Sequence, residues 1–269
     1  MVRCAPGAPA PVVYLSGMTD TMLRAFGWSP LLINGDPCVL DRWLWLRRHL
    51  RVGRVRTFDA GCGNGAFSIY AAREGNDVVA ASFSPREQED ARRRAGVVGI
   101  MTIDFRQLDL REIEEHRASL GTFEQIICFE TIEHILDDEG LVRSLVQMLA
   151  PGGQLLLTVP FDGHHPLLSE DPDPSPVEDG FHVRYGYSQE RLREIAENAG
   201  LRVTDEAFVS GVVSQKLTNL MRGLIPRIGL PAAWAIMLPL RALVVLDRPL
   251  TRLMRYPHLS AALAAVKPA

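Results

Sequence analysis

The sequence lacks most of what would place it outside a cell or across a membrane. Cysteine is sparse: Cys4, Cys38, Cys62 and Cys128 are four residues in 269, at no spacing that suits a zinc site or a disulfide framework. An excess of positive charge is missing too. The formal net charge of −3 gives no broad basic field of the kind that drives binding to phosphate backbones, so no nucleic-acid partner is expected. A long apolar run is also absent. The stretch "IGLPAAWAIMLPL", residues 228–240, falls short of the roughly 20 residues that a spanning helix needs. At the start, "MVRCAPGAPAPVVYLS" interrupts its apolar residues with prolines, unlike the continuous core of a signal peptide. These absences lead us to expect a reduced, cytoplasmic protein.

What is present is a regular alternation. Residues 1–17 read as a tail, and "DRWLWLRRHL" as a helix turning Trp43, Leu44 and Leu46 inward. From residue 51 strand-like segments ("VRTFD", "DVVAAS", "TIDFRQ", "FEQIICF", "GQLLLTV") alternate with helical ones ("FSIYAARE", "REQEDARRRA", "EGLVRSLVQML"). Strands that are apolar on both faces, joined through helices, predict an α/β fold with a mostly parallel sheet covered on both sides. Residues 161–187, which hold Pro166, Pro172, Pro174 and Pro176, form a connection long enough to read as an active-site lid.

In such sheets a ligand sits beyond the carboxyl ends of the strands, where the strand order reverses, which is usually after the first strand. That place holds "FDAGCGNG", with Asp59, Gly61, Gly63 and Gly65 at alternate positions. The spacing lacks the extra residue of the dinucleotide fingerprint, which argues against NAD. Glycines there expose amides at a helix start, suited to a carboxylate, and an acid just before them can hold an ammonium. A ligand with both groups is an amino acid moiety, and this points to S-adenosylmethionine.

Together with "FRQLDL", "FEQIICFETIEHI" and "LAPGGQLLLTVP", the turn resembles the class I S-adenosylmethionine-dependent methyltransferases, and within them the small-molecule O-methyltransferases of ubiquinone pathways. The likeness spans about residues 52–210. It implies a Rossmann-like seven-stranded sheet, with "LRVTDEAFVS" and "LSAALAAVKP" as the last, antiparallel pair. It also implies that Asp59, Gly61, Cys62, Gly63 and Gly65 hold the methionine end of the cofactor, that Asp109 and Leu110 meet the adenine, and that Phe129 and Glu130 line the reacting side. The family usually places at position 82 an acid that grips the ribose. Here it is Ser82, whose neutral hydrogen bond is weaker than a charge-assisted one; Phe83, packing on the adenosine, would compensate.

Methyl transfer from a sulfonium needs an aligned acceptor and a way to remove its proton. "ETIEH" supplies Glu130, Glu133 and His134, which a helix starting after Glu130 would place on one face. Three readings stay open. His134 is a general base tuned by a carboxylate; or these residues, with His182, hold a divalent ion, magnesium or manganese, as the likeness of E-x-x-E-H to small-RNA 2′-O-methyltransferases implies; or Glu133 and His134 only cap a helix. His164 and His165 are further candidates on the lid.

Residues 211–257 read as a helical insertion before the last strand, 258–269, and carry Lys216, Arg222, Arg227, Arg241, Arg248, Arg252 and Arg255 against one acid, Asp247. Apolar faces flanked by arginines suit a peripheral membrane contact, a lipid-like substrate, or packing on a second copy of the chain. The reading that results is methyl transfer to a small molecule, at a hydroxyl of a hydrophobic or lipid-linked metabolite. An RNA-directed 2′-O-methyltransferase and a cofactor-binding scaffold without turnover are the rivals.

Overall fold

A computed structural model describes residues 16–28, 37–166 and 173–269. Most of the expected tail, and the middle of the expected lid, lie outside these residues. Helix α1 (Ser16–Phe26) starts within the segment read as tail. It is followed by α2 (Pro37–His49), β1 (Arg56–Ala60), α3 (Ala66–Arg73), β2 (Asp77–Ser82), α4 (Pro85–Val97), β3 (Asp104–Gln107), α5 (Ile113–Leu120), β4 (Phe123–Phe129), α6 (Asp138–Gln147), β5 (Leu149–Pro160), α7 (Gln189–Asn198), β6 (Arg202–Val209), α8 (Val212–Leu240), α9 (Asp247–Met254) and β7 (Ser260–Val266).

The strands form one seven-stranded sheet in the order β3-β2-β1-β4-β5-β7-β6. Strands β1 to β5 are parallel to their neighbours, and β7 runs antiparallel to both β5 and β6. Side chains alternate across a strand, so each strand serves two cores. Phe58, Val79, Ile126 and Leu155 pack under α5, α6 and α7. Val78, Ala80, Ile127 and Leu156 pack under α2 and α3. On α2 the deepest residues are Trp45 and Leu46. Trp43 and Leu44, expected inward, are half-buried: Trp43 lies against Trp28 and Tyr70, with ring centroids 5.7 Å away in each case, and Leu44 packs on the insertion. Near the start of the strands Thr57 Oγ1 accepts from Asn76 Nδ2 (2.8 Å) and Gln125 Nε2 (3.1 Å), and Gln154 Nε2 donates to Gln125 Oε1 (2.5 Å). This buried polar row leaves the opposite, carboxyl ends of β1 and β4 for the site.

The insertion docks on α2, with Leu217, Met221, Met237 and Val244 buried against Leu40 and Leu44. Helix α8 breaks at Gly229, where φ is +77°. No helix among the described residues is long and apolar enough to cross a membrane.

Candidate functional site

Strand order reverses between β1 and β4, and the glycine turn closes that end. Its three glycines take positive φ, +85° at Gly61, +48° at Gly63 and +78° at Gly65, yet they do different work. A Cβ on Gly61 would meet Thr131 Oγ1 at 2.2 Å, and one on Gly65 would meet the Ala91 Cβ at 2.9 Å. Gly61 and Gly65 therefore allow protein to pack on protein. A Cβ on Gly63 would meet nothing within 4 Å, so this is where the turn presents bare backbone to a cradle. The amides of Gly61 and Cys62 are already given to Ala81 O, at 3.0 and 2.8 Å. At the start of α3 the cap residue Gly65 offers no side-chain bond and Ala66 N donates to Asn64 Oδ1 at 3.3 Å; the amides that follow in this first turn suit a carboxylate. The turn fits the methionine end of S-adenosylmethionine on this geometry.

Asp59, near the end of β1, ties that strand to Ser68 on α3. It is buried, its Oδ2 accepts the Ser68 hydroxyl at 2.5 Å, and burial raises its carboxyl to about 6. The Cys62 thiol, pushed up by burial and then by Asp59 and Glu87, accepts from Gln88 Nε2 at 3.4 Å and lines the turn as an inert group. Asp109 follows β3 and accepts from Arg111 Nε at 2.8 Å; this hydrogen bond holds its carboxyl below the ordinary range. Leu110 is buried beside it. Phe83 is 66% exposed, with the Arg111 guanidinium 5.8 Å from its ring rather than buried packing around it.

Phe129 ends β4 between Phe67 and Trp45, with ring centroids at 5.0 and 5.9 Å. The next residue, Glu130, adopts φ +48°, a conformation that costs a non-glycine residue about 1–3 kcal/mol and gathers at functional sites. Its amide donates to Thr158 O at 2.8 Å, and its Oε2 accepts from Arg42 on α2 at 2.8 Å. The helix expected after Glu130 is only a single 3-10 turn, Ile132–His134. Glu130 neighbours this turn but is not one of the residues whose ligand atoms come together. Glu133, His134 and His182 instead bring one ligand atom each within 4.8 Å of one another, with the His134 and His182 rings 4.6 Å apart. The irregular segment bearing His182 is fastened by Val183 N donating to Glu133 O at 2.9 Å. Both carboxylate oxygens of Glu133 are buried, and neither is in a side-chain hydrogen bond. Burial, and next the neighbouring Glu130, push its carboxyl well above the usual range. His165 stacks edge-on against Tyr256 at 5.3 Å and His164 faces Phe161 O, so the lid histidines are occupied locally. Arg42, Thr131 and Glu87, absent from the sequence reading, all reach this end of the sheet. Only register and packing reveal them.

The family described as a methyltransferase domain matches residues 39–206. The chain belongs to this family, as a class I S-adenosylmethionine-dependent methyltransferase. The methyltransferase is 29% identical over 123 residues to a ubiquinone biosynthesis O-methyltransferase of Xanthomonas oryzae pv. oryzae (strain PXO99A), across 46% of this chain and 49% of that one. A protein of the same name from Methylocella silvestris is 38% identical over 99 residues, 37% of each chain. The alignments thus span at most about half the length of these relatives. Among solved structures, an S-adenosylmethionine-dependent methyltransferase from Mesorhizobium loti has a TM-score of 0.54 at 18% identity, covering 84% of this chain and 97% of that one. Magnesium protoporphyrin IX methyltransferase from Synechocystis PCC 6803, with bound SAM, has a TM-score of 0.51 at 16% identity, covering 96% and 99%. These last two likenesses are of fold.

Proposed function

We propose that this methyltransferase moves the methyl group of S-adenosylmethionine to a hydroxyl of a small hydrophobic or lipid-linked acceptor, beside a cation-binding group made by Glu133, His134 and His182. The observation that carries this reading is the Glu133 carboxylate, buried beside two imidazoles, with Oε1 3.9 Å from His134 Nε2 and neither oxygen in a side-chain hydrogen bond. A carboxylate so placed is costly while charged and alone, and becomes favourable beside a cation. Oxygen and imidazole donors suit magnesium or manganese, whose chemistry is to acidify a bound hydroxyl. The methionine end of the cofactor rests against Gly63 and the start of α3. Phe67 and Phe129 form an apolar wall on the reacting side, and Arg42 fixes Glu130 at its edge. Alignment of the acceptor with the sulfonium is then the main task left to the protein.

Two features support a hydrophobic acceptor. The curated relatives carry an O-methyltransferase name from ubiquinone biosynthesis, and the insertion presents apolar side chains outward, with Val245 79% and Leu253 80% exposed. The test is labelled-methyl transfer onto polyprenylated phenols, with small amines and a short RNA as rival acceptors. Transfer to the phenols, lost in a chelator and regained with magnesium or manganese, is the expected result. Glu133→Gln should lower it by on the order of 100-fold. Transfer that survives the chelator and falls only at low pH would replace the cation with His134 as a free base, and transfer to RNA alone would overturn the acceptor.

A further inference from the structure

Ser84 and Glu87 stand at the spacing of a capping box, in which the serine accepts the acid's N–H and the acid's carboxylate turns back to the serine's N–H. Only half of that box forms. Ser84 Oγ accepts from Glu87 N at 3.3 Å, but Ser84 N donates to Ser82 Oγ at 3.3 Å. The Glu87 carboxylate reaches past the cap and accepts the Ser82 hydroxyl at 2.7 Å through Oε2. Two serines therefore cap α4, and the carboxylate is carried to the carboxyl end of β2. There it adjoins the glycine turn, for its charge is felt by the Cys62 thiol, and the next residue, Gln88, bonds the same sulfur.

We propose that Glu87 takes the ribose hydroxyls of S-adenosylmethionine, with Ser82 as the positioning residue that aims it. The inference rests on the cofactor reading above. Ser82 is buried, and its hydroxyl already accepts from Ser84 N and donates to Glu87, so it has little left for a ligand. Glu87 is exposed, and among the described residues its Oε1 accepts no hydrogen bond. A carboxylate held at one oxygen and open at the other suits a vicinal diol, which offers two O–H donors. Bonds to a charged acceptor are the stronger kind. The acid absent at position 82 is on this account restored from the first turn of α4, five residues later.

Isothermal titration with S-adenosylhomocysteine and with its 2′-deoxy analogue tests this. Wild type should prefer the ribose form, and Glu87→Gln should weaken S-adenosylhomocysteine by about 10- to 100-fold and erase most of the preference. Its thermal midpoint should be unchanged, since the serine cap remains. Ser82→Asp should weaken binding by setting two carboxylates together, and Ser82→Asp combined with Glu87→Gln should recover it. Wild-type affinity and preference in Glu87→Gln would overturn this proposal alone; no binding by the wild type would overturn the cofactor reading, and this one with it.

Discussion

Gly61 and Gly63 are two positions apart in one turn, and a side chain should fail at each for a different reason. At Gly61 an added methyl runs into Thr131 at 2.2 Å with φ at +85°. Strain and overpacking together should make Gly61→Ala less stable by about 2–4 kcal/mol, read by denaturant unfolding. At Gly63 the same direction is open. Gly63→Val should cost only the left-handed backbone penalty of about 1–2 kcal/mol while abolishing S-adenosylhomocysteine binding by titration. A stable Gly61→Ala, or a Gly63→Val that binds as wild type, would contradict this division of labour. The alternate glycines were legible in the sequence because a strand-turn-helix junction is local. Their division was not, since Thr131 and Ala91 come from distant segments.

At the scale of elements, the end of the insertion inverts the usual order of a helix surface. Asp247 points inward, its carboxylate accepting from Gly211 N at 2.7 Å, Val213 N at 2.7 Å and Ser214 N at 3.0 Å, and Thr251 Oγ1 accepts from Val212 N at 2.9 Å. One helix thus caps the start of another. Leu243, Val245, Leu246, Leu253 and Met254 are left outward, among exposed Arg248, Arg252 and Arg255. With the segment's one acid buried as a cap, the outer face is apolar and basic, which suits an anionic lipid interface. Co-sedimentation with phosphatidylglycerol vesicles should exceed that with phosphatidylcholine. Leu253→Asp should reduce it severalfold while changing stability by no more than about 0.5 kcal/mol, as at other exposed positions. Equal sedimentation of the variant would remove the face from consideration. The basic, apolar composition was visible in the sequence; its outward presentation depends on where Asp247 and Thr251 dock.

For the whole molecule, buried carboxyls set the response to pH. Asp41 on α2 accepts from Ser214 Oγ at 2.6 Å through Oδ2, and burial, followed by Asp247 among the raising influences, lifts it from 3.8 to about 7. Asp59 is lifted by burial from 3.8 to about 6, and Glu133 is raised in the same sense. The native state therefore binds these protons more tightly than the unfolded chain. Their contribution to stability is fully present below about pH 4 and is lost as pH rises through 6 to 7. Asp109, lowered by Arg111, acts in the opposite sense but only in more acid solution. Thermal unfolding without added cation or cofactor should show stability declining between pH 4 and 7, and Asp41→Asn should flatten the upper part of that decline. A profile in the variant that matches the wild type would show that Asp41 does not drive it.

The sequence by itself determined the alternation of strands and helices, the glycine turn, the expectation of a mostly parallel sheet and the presence of a basic apolar segment before the last strand. All of these follow from patterns within some 30 residues, where side-chain periodicity and backbone freedom act directly. Tertiary structure decided the rest of the site. Arg42 meets Glu130 across 88 positions, and His182 reaches His134 on a connection with no periodicity to read. Glu87 matches a helix cap in the sequence, and only the neighbouring Ser82 hydroxyl draws it to the end of β2. Local propensity fixes where the backbone turns, whereas the partner of a polar side chain depends on which distant atoms folding brings within about 3 Å.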